Sequence, residues 1–281
     1  MTISENDKIG IIAGGGQFPL LFAKSAQKQG LKVYAAAHRN ETDEELSNQV
    51  EQLVWIKLGQ LGRIISFFKK EGITKTVFVG SITKTNIFRD VRPDFKGLGL
   101  WNKIDIKQDD AILRAVADQL AKDGIEVVAS TRYAPELLFP KGVLTRKKLT
   151  KEQKDDIVFG WKIAREIGKL DIGQCVVVRN GTVLAVEAIE GTDAAINRGG
   201  RLCSEKAVVI KVRKPKQDIR FDLPAIGEKT IASMQEVKAA VLAVEAEFAL
   251  LFDGESVIRA ADAAGLVVVG VTEKASGDLV F

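Results

Sequence analysis

Short apolar runs alternate with amphipathic helical patterns through the first 132 residues of the chain. Each apolar run is continuous, as expected for strands of a parallel sheet that is covered on both faces. Between the runs, apolar residues recur at three- and four-residue spacing, which predicts helices that pack on this sheet. The predicted strands are IGIIAG, LKVYAAA, QLVWIKL, KTVFVG and IEVVAS. The alternation therefore predicts a doubly wound, Rossmann-like α/β domain over residues 1–132.

The alternation breaks over residues 133–149, which contain two prolines and a cluster of basic residues, and we predict a linker there. Residues 150–281 then open with a helical pattern and continue with two apolar runs joined by Asn180 and Gly181, a strong signal for a tight β-hairpin. Further strands are predicted at KAVVIKV, AEFALLF and LVVVGV, and helices at TIASMQEVKAAVLA and ESVIRAADAAG. This half is expected to be a distinct, mixed α/β domain.

The composition is that of a globular protein and narrows the chemistry. Hydrophobic residues make up 46% and charged residues 28% of the chain, and the net charge of +4 suits a phosphate-bearing ligand. No basic stripe with interleaved aromatic residues occurs, so we expect no nucleic-acid partner. No apolar run approaches the roughly 18 residues of a membrane span, and the polar start MTISENDKIG does not resemble a signal peptide. We therefore expect a cytoplasmic protein.

Histidine and cysteine are scarce. His38 is the one histidine, which makes a histidine-rich binuclear metallohydrolase or a three-histidine zinc site hard to build. It follows the second predicted strand, where a capping or surface role is favoured over contact with a ligand. Cys175 and Cys203 lack a metal-binding spacing and are expected to be free thiols of a reducing compartment.

The sequence GGGQFP follows the first predicted strand and raises the question of a dinucleotide site. A G-x-G-x-x-G fingerprint fits at Gly14 and Gly16, but Pro19 takes the place of the third glycine. The second strand lacks the acidic residue that would bind the ribose, so a nicotinamide site is disfavoured. The glycines still permit close backbone approach, and Pro19 suits a first helical turn whose amides can bind a phosphate or a nucleotide. A tight turn without a ligand is the alternative.

Two stretches of the second half combine carboxylates with polar or basic residues. In EGTDAAINRGG, Thr192 and Asp193 lie at a predicted helix start, where an ordinary N-cap explains them as well as a site does. The stretch KVRKPKQDIRFDLPAIG places five basic residues around Asp218 and Asp222, namely Lys211, Arg213, Lys214, Lys216 and Arg220. Cations beside a carboxylate suit phosphoryl chemistry, in which the carboxylate binds a metal or orients water. A solvated, charged strand edge is the alternative.

Five motifs carry a resemblance to a known family. In order along the chain, IAGGGQFP, GSITK, LLFPKGVLT, EGTDAAINRGG and RFDLPAIG resemble the UDP-2,3-diacylglucosamine pyrophosphatases of lipid A biosynthesis, of the type unrelated to calcineurin-like metallophosphoesterases. The resemblance runs from Ile9 to about Val271. The single histidine agrees with it, because a metallophosphoesterase would need several. The Gln-Phe-Pro sequence departs from the Leu-Pro ending of the family's first loop, which leaves the contact made by Gln17 open.

The resemblance implies a Mg²⁺-dependent cytoplasmic hydrolase with a Rossmann-like first domain and a distinct second domain. Its substrate would be UDP-2,3-diacylglucosamine, which water attacks at the α-phosphorus to give UMP and 2,3-diacylglucosamine 1-phosphate. The essential aspartate of the family's Asp-Leu-Pro motif matches Asp222, which we expect to be catalytic and a candidate metal ligand. Whether it acts as base or as ligand stays open, as does the rest of the metal site.

Substrate-binding residues are predicted from the two halves together. The first group lies at the ends of the first and fourth strands, the edge where open parallel sheets bind ligands: Gly14, Gly15, Gly16, Gln17, Phe18 and Ser81. Thr192 and Asp193 are the second choice, and Lys214 and Lys216 the third.

An amphiphilic substrate also needs a place for two acyl chains. The long connection over residues 83–104 carries Phe88 and Trp101, and we predict that it lines an acyl groove or touches the inner face of the cytoplasmic membrane. A loop packed on its own apolar side chains is the alternative. Peripheral attachment to the membrane is thus expected, and a homodimer is left open. The competing functions are a non-catalytic nucleotide- or lipid-binding module and a nicotinamide-dependent oxidoreductase.

Overall fold

The computed structural model describes residues 7–82, 94, 96, 97, 109–215, 217–221 and 223–281. The chain divides into two compact units. The N-terminal unit comprises Met1–Pro135 and Asp218–Phe221, and the C-terminal unit comprises Glu136–Gln217 and Asp222–Phe281. None of the helices in the described ranges is long and apolar enough to cross a lipid bilayer.

The described part of the N-terminal unit contains a five-stranded parallel sheet. Its strands are β1 (Lys8–Ala13), β2 (Lys32–His38), β3 (Gln52–Ile56), β4 (Lys75–Val79) and β5 (Glu126–Val127). Their order is β3-β2-β1-β4-β5, with parallel pairing throughout. The winding therefore changes direction between β1 and β4, and at such a switch point the carboxyl ends of the strands leave a crevice for ligands.

Helices of the N-terminal unit pack on this sheet through apolar faces. They are α1 (Phe18–Lys28), α2 (Leu61–Lys70) and α3 (Asp109–Lys122). The buried side chains of α2 recur at helical spacing and join the core that lies on the sheet: Leu61, Ile64, Ile65 and Phe68. Phe221 packs against the same core and forms an edge-to-face ring contact with Phe78 of β4, with 5.7 Å between the ring centroids.

The C-terminal unit contains a mixed sheet. The strands of this unit are β6 (Gly142–Val143), β7 (Cys175–Arg179), β8 (Thr182–Val186), β9 (Val208–Lys211), β10 (Ala225–Ile226), β11 (Val241–Glu245), β12 (Leu250–Leu251), β13 (Val267–Glu273) and β14 (Leu279–Val280). The order is β14-β13-β11-β9-β7-β8, and β6 pairs with β13. The central strands β9, β11 and β13 are parallel, whereas β6, β7, β8 and β14 pair in antiparallel fashion. β10 and β12 form a separate parallel pair.

Helices cover both faces of this sheet. They are α4 (Lys151–Lys169), α5 (Thr192–Cys203), α6 (Glu228–Glu236) and α7 (Gly254–Ala263). Trp161 of α4 belongs to the core on one face, and Ile196 of α5 and Ile231 of α6 belong to the core on the other. Because strand side chains alternate between faces, the end of each strand presents successive residues to different helices.

The predicted α/β class, with a parallel sheet followed by a separate mixed sheet, is confirmed. The hairpin at Asn180 and Gly181 is also confirmed, and both residues have the positive φ that its tight turn requires. The prediction for one element was wrong. The helix predicted over residues 230–243 ends at Glu236, and Val241–Glu245 is a strand. All five residues of that strand are buried, so its sequence carries no period that distinguishes strand from helix. The strand predicted at AEFALLF shrinks to Leu250–Leu251.

Residues 133–149, the predicted linker, include β6 and the short 3₁₀ helix Pro135–Leu137. β6 pairs with β13 through Val143 and Gly142, opposite Val269 and Gly270. The boundaries 1–132, 133–149 and 150–281 stay predictions.

Candidate functional site

The glycine loop after β1 is joined to the loop after β4 at the switch point of the N-terminal sheet. The Gly15 amide donates to the Ser81 carbonyl at 2.7 Å, and the Ser81 amide donates to the Gly15 carbonyl at 3.1 Å. The Gly14 amide donates to the Val79 carbonyl at 2.8 Å. The two loops that carry predicted binding residues are therefore hydrogen-bonded to each other. Gly16, Gln17 and Ser81 are exposed beside this contact.

This approach of two main chains requires glycine. A Cβ atom on Gly14 would lie 2.4 Å from the Ser81 carbonyl oxygen, and one on Gly80 would lie 2.5 Å from the Gly15 carbonyl oxygen. Gly80 also has a φ of +87°, a conformation that other residues seldom adopt. Gly14 and Gly80 are therefore needed for the close contact between the two loops, whether or not the loops also bind a ligand.

The N-terminus of α1 opens at the same edge. Gln17 occupies the N-cap position without a side-chain hydrogen bond to the first turn, and that turn contains Pro19 and no acidic residue. The first amides of a helix have no partner within the helix and carry partial positive charge, which favours an anion. Phe18 packs edge-to-face on Phe22, with 6.4 Å between the centroids, and so holds the start of the helix to the core.

His38 stabilises the neighbouring strand end. Its Nδ1 lies 2.9 Å from the Ala13 carbonyl oxygen, which also accepts a 2.7 Å hydrogen bond from the Thr42 hydroxyl. Burial lowers the pKa of the imidazole, while the Ala13 hydrogen bond and the nearby Glu41 carboxylate oppose that change. The ring caps the neighbouring strand end with this hydrogen bond, as predicted. The predicted surface position is wrong, because the ring is buried.

A second polar group lies at the carboxyl edge of the C-terminal sheet. Thr192 and Asp193 begin α5, as predicted, but the N-cap position belongs to Gly191. The Thr192 hydroxyl donates to Glu187 Oε1 at 2.8 Å, and Glu187 Oε2 accepts from the Gln174 amide at 3.1 Å. Asp193 forms a 3.3 Å ion pair with Lys229, which is mostly exposed.

Of the remaining predicted site residues of this unit, Lys214, Lys216 and Asp222, the structure describes only Lys214. Lys214 donates a 2.7 Å hydrogen bond to Asp171 Oδ1, so its charge is already partly engaged. Lys216 and Asp222 lie outside the described residues. The same is true of Phe88 and Trp101 in the predicted acyl loop.

The residues that precede and follow Asp222 in the chain make specific polar contacts. Before it, the Arg220 guanidinium binds the Asp218 carboxylate through two nitrogens, at 3.0 and 2.7 Å, and holds the pKa of that carboxyl below its usual value. After it, the Leu250 amide donates to the Pro224 carbonyl at 2.7 Å.

Two further basic side chains lie near this edge; the sequence grouped them with Asp218 and Asp222, but they were not among the predicted site residues. Lys211 is buried and donates a 3.0 Å hydrogen bond to the Ala225 carbonyl. Arg213 stacks on Phe248, with its guanidinium carbon 4.2 Å from the ring centroid, and its buried Nε has no hydrogen-bond partner in the described part of the chain.

The described residues do not form a protein cage for a divalent cation, because no three carboxylate, histidine or cysteine side chains among them converge. Mg²⁺ commonly binds through one or two carboxylates, several waters and substrate phosphates. A site of that kind needs fewer protein ligands than such a cage contains.

Comparison with known families covers both units. Residues 8–137 match the family model "LpxI N-terminal domain", and residues 140–269 match the model "LpxI C-terminal domain". The UDP-2,3-diacylglucosamine pyrophosphatase LpxI of Caulobacter vibrioides is 37% identical in an alignment of 275 residues that covers 94% of this chain and 97% of that protein.

Two solved structures that match the chain resemble it much less. The biotin carboxylase domain of 2-oxoglutarate carboxylase from Hydrogenobacter thermophilus has a TM-score of 0.27 and 12% identity, over 64% of this chain and 36% of that one. The N5-carboxyaminoimidazole synthetase of Staphylococcus aureus, complexed with ADP, has a TM-score of 0.25 and 17% identity, over 64% of this chain and 40% of that one. Scores of this size carry no argument about the present protein. The two matches that together span residues 8–269, and the relative of nearly equal length, show that the chain belongs to the LpxI family.

Proposed function

We propose that the protein hydrolyses the pyrophosphate of UDP-2,3-diacylglucosamine in lipid A biosynthesis. The observation that carries this proposal is the 37% identity to the Caulobacter pyrophosphatase over 94% of the chain, because it includes both units and the Asp-Leu-Pro segment. The start of α1 beside the joined loops supports it independently, since the first amides of a helix favour an anionic or nucleotide ligand at such a switch point.

In the reaction we propose, a water oxygen bonds to the α-phosphorus while the bond from that phosphorus to the bridging oxygen breaks. The oxygen leaves with the β-phosphate, so the products are UMP and 2,3-diacylglucosamine 1-phosphate. Asp222 accepts the proton of the attacking water or orients that water. The amides at the start of α1 and the loop at Ser81 bind the nucleotide part or a phosphate and remove charge repulsion from the water's approach.

Residues of the C-terminal unit complete the proposed binding set. Thr192 and Asp193 stand at the start of α5, whose first amides face the carboxyl edge of the sheet. Lys214 and Lys216 add positive charge from the loop after β9. We propose that these side chains contact the sugar phosphate or the pyrophosphate.

Mg²⁺ dependence is a further part of the proposal. When bound, the ion would neutralise pyrophosphate charge, with Asp222 as a candidate ligand. We expect a chelator to abolish turnover and added Mg²⁺ to restore it, with Ca²⁺ restoring less because its larger shell fits octahedral phosphate coordination poorly. Full activity after exhaustive chelation would contradict metal dependence and leave the hydrolase proposal standing.

The cellular setting follows from the substrate. We propose that the protein is cytoplasmic and meets its diacylated substrate at the inner face of the membrane. The choice between a monomer and a homodimer is a separate question and stays open. Flotation with anionic vesicles and sedimentation in solution test the two points separately.

The experiment for the proposed function is product analysis with purified chain, UDP-2,3-diacylglucosamine, Mg²⁺ and detergent. We expect equal release of UMP and the sugar phosphate, reduced at least about 100-fold in Asp222→Asn. Asp155→Asn changes an exposed carboxylate on α4 and is the matched control, which should retain activity. Binding of the substrate without release of UMP would favour a non-catalytic module. Fluorescence of bound NADH would favour an oxidoreductase.

A further inference from the structure

Lys211 is an unusual residue to find at the end of a central strand. It is 6% exposed and stands in register with Cys175 of β7 on one side and Val244 of β11 on the other. Burying an ammonium group is costly unless its hydrogen-bonding capacity is used. The question is therefore what the protein gains from a lysine at this position.

The nearby buried carboxylate of Glu187 is hydrogen-bonded to groups other than Lys211. Glu187 accepts hydrogen bonds from the Thr192 hydroxyl and the Gln174 amide. Burial raises the pKa of the Cys175 thiol, the Glu187 charge raises it further, and the Lys211 charge opposes them, which places both charges near the same sulfur. Lys211 directs its hydrogen bond to main chain instead, at the Ala225 carbonyl oxygen 3.0 Å from Nζ.

Ala225 belongs to a strand of two residues that has β12 on one side. The Pro224 carbonyl accepts from the Leu250 amide at 2.7 Å, and the Ile226 carbonyl accepts from the Phe252 amide at 2.9 Å. Successive carbonyls of a strand point in opposite directions, so the Ala225 carbonyl faces away from β12. The Lys211 ammonium takes the place of a second neighbouring strand at that carbonyl.

This contact fixes the segment that follows the proposed catalytic residue. Ala225 stands three positions after Asp222, and the intervening Pro224 restricts the backbone further. We propose that Lys211 is a positioning residue for the reaction, which holds the Leu223-Pro224-Ala225 segment that follows the proposed catalytic Asp222. The inference rests on the proposed function for its effect on catalysis, but its structural part does not.

The structural part is tested by hydrogen exchange of the full chain. Lys211→Met keeps the apolar stem and removes the ammonium, Lys211→Arg keeps a cationic donor, and Lys162→Met on the exposed side of α4 is the control. We expect amides of residues 223–227 to exchange at least about 5-fold faster in Lys211→Met, with β11 unchanged and Lys211→Arg intermediate. Unchanged exchange over 223–227 would overturn the proposal. Should Lys211→Met fail to fold, Lys211→Gln replaces it with a neutral donor.

The catalytic part is tested by kinetics in two backgrounds. In the otherwise native chain, Lys211→Met should lower kcat about 10- to 100-fold with KM within about twofold, and Lys211→Arg should recover part of kcat. On the Asp222→Asn background, Lys211→Met should add less than about a twofold loss, because residues that act as a unit are not additive. A full additional loss there, or a large rise in KM, would overturn the positioning role and indicate direct contact with substrate.

Failure of the proposed function gives a different pattern. If native protein and Asp222→Asn turn over the substrate equally, Asp222 is not catalytic and the positioning role is overturned with it. Faster exchange over 223–227 in Lys211→Met would in that case still show what Lys211 holds in place.

Discussion

Gly15 and Ser81 exchange two main-chain hydrogen bonds, at 2.7 and 3.1 Å, across the point where the N-terminal sheet changes its winding direction. The glycine loop and the loop after β4 are therefore held together at the carboxyl edge of this sheet. A ligand held by either loop is positioned by both. The contact accounts for Gly14 and Gly80, where any Cβ atom would clash with the facing main chain.

Gly14→Ala should separate these two loops. The new methyl group would lie 2.4 Å from the Ser81 carbonyl oxygen, so we expect a loss of about 1–3 kcal/mol in the free energy of unfolding and weaker substrate binding. Gly72→Ala, just after α2, is the control, because nothing lies within 4 Å of its Cβ position and only its φ of +70° causes strain, about 1 kcal/mol. Urea titration and KM measure the two effects. Equal KM in the native protein and Gly14→Ala would contradict a binding role for this loop.

Thr192→Val should show whether the start of α5 is mainly a structural cap. The substitution leaves Glu187 Oε1 without its 2.8 Å donor in a nearly buried carboxylate, which costs about 1–3 kcal/mol of stability. Thr182→Val, at the exposed start of β8, should cost much less. A binding role requires in addition that KM rise at temperatures where Thr192→Val is fully folded. Lower stability with unchanged KM would assign Thr192 to the fold alone.

His38 should make the N-terminal unit less stable in mild acid. Its pKa is lowered in the folded state, so the unfolded chain binds the proton more readily, and stability falls as pH drops below about 6.5. Above that pH the group contributes no slope. Hydrogen exchange of β1 and β2 between pH 5 and 8, corrected for intrinsic rates, measures the effect. His38→Gln should flatten the dependence, and the same slope in both proteins would contradict this origin.

Lys214 can be tested apart from its ion pair. Lys214→Met removes the cation, and Asp171→Asn removes only its partner, 2.7 Å away. If the charge serves the substrate, Lys214→Met should raise KM about 5- to 10-fold, whereas Asp171→Asn should leave KM within about twofold. Parallel changes in the two variants would show that the pair, and not the cation, matters.

Much of the fold was predictable because local signals agreed with burial. The N-terminal strands are bounded by glycines and charged residues, and α2 carries its apolar residues at helical spacing. The same reasoning failed at Val241–Glu245, where every residue is buried and the surrounding helical pattern ran on without a clear stop. There the tertiary position between β9 and β13 decides the conformation.

The candidate site was predictable only in part. The contact of Gly15 with Ser81 follows from the rule that parallel strands bring their carboxyl ends together. The partners of Thr192, Lys214 and Lys211 do not follow from any local pattern, because Glu187, Asp171 and Ala225 reach them through tertiary packing. Asp222 came from the family motif and not from spacing, so its role depends on experiment.

The most direct test of the account is hydrolysis of UDP-2,3-diacylglucosamine in ¹⁸O-water, with both products read by mass spectrometry. We predict that one ¹⁸O atom enters UMP and none enters the sugar phosphate, and that Asp222→Ala abolishes this labelling while the control Asp155→Asn preserves it. Label in the sugar phosphate would contradict attack at the α-phosphorus. Absence of turnover by folded native protein with Mg²⁺ present would contradict the hydrolase itself.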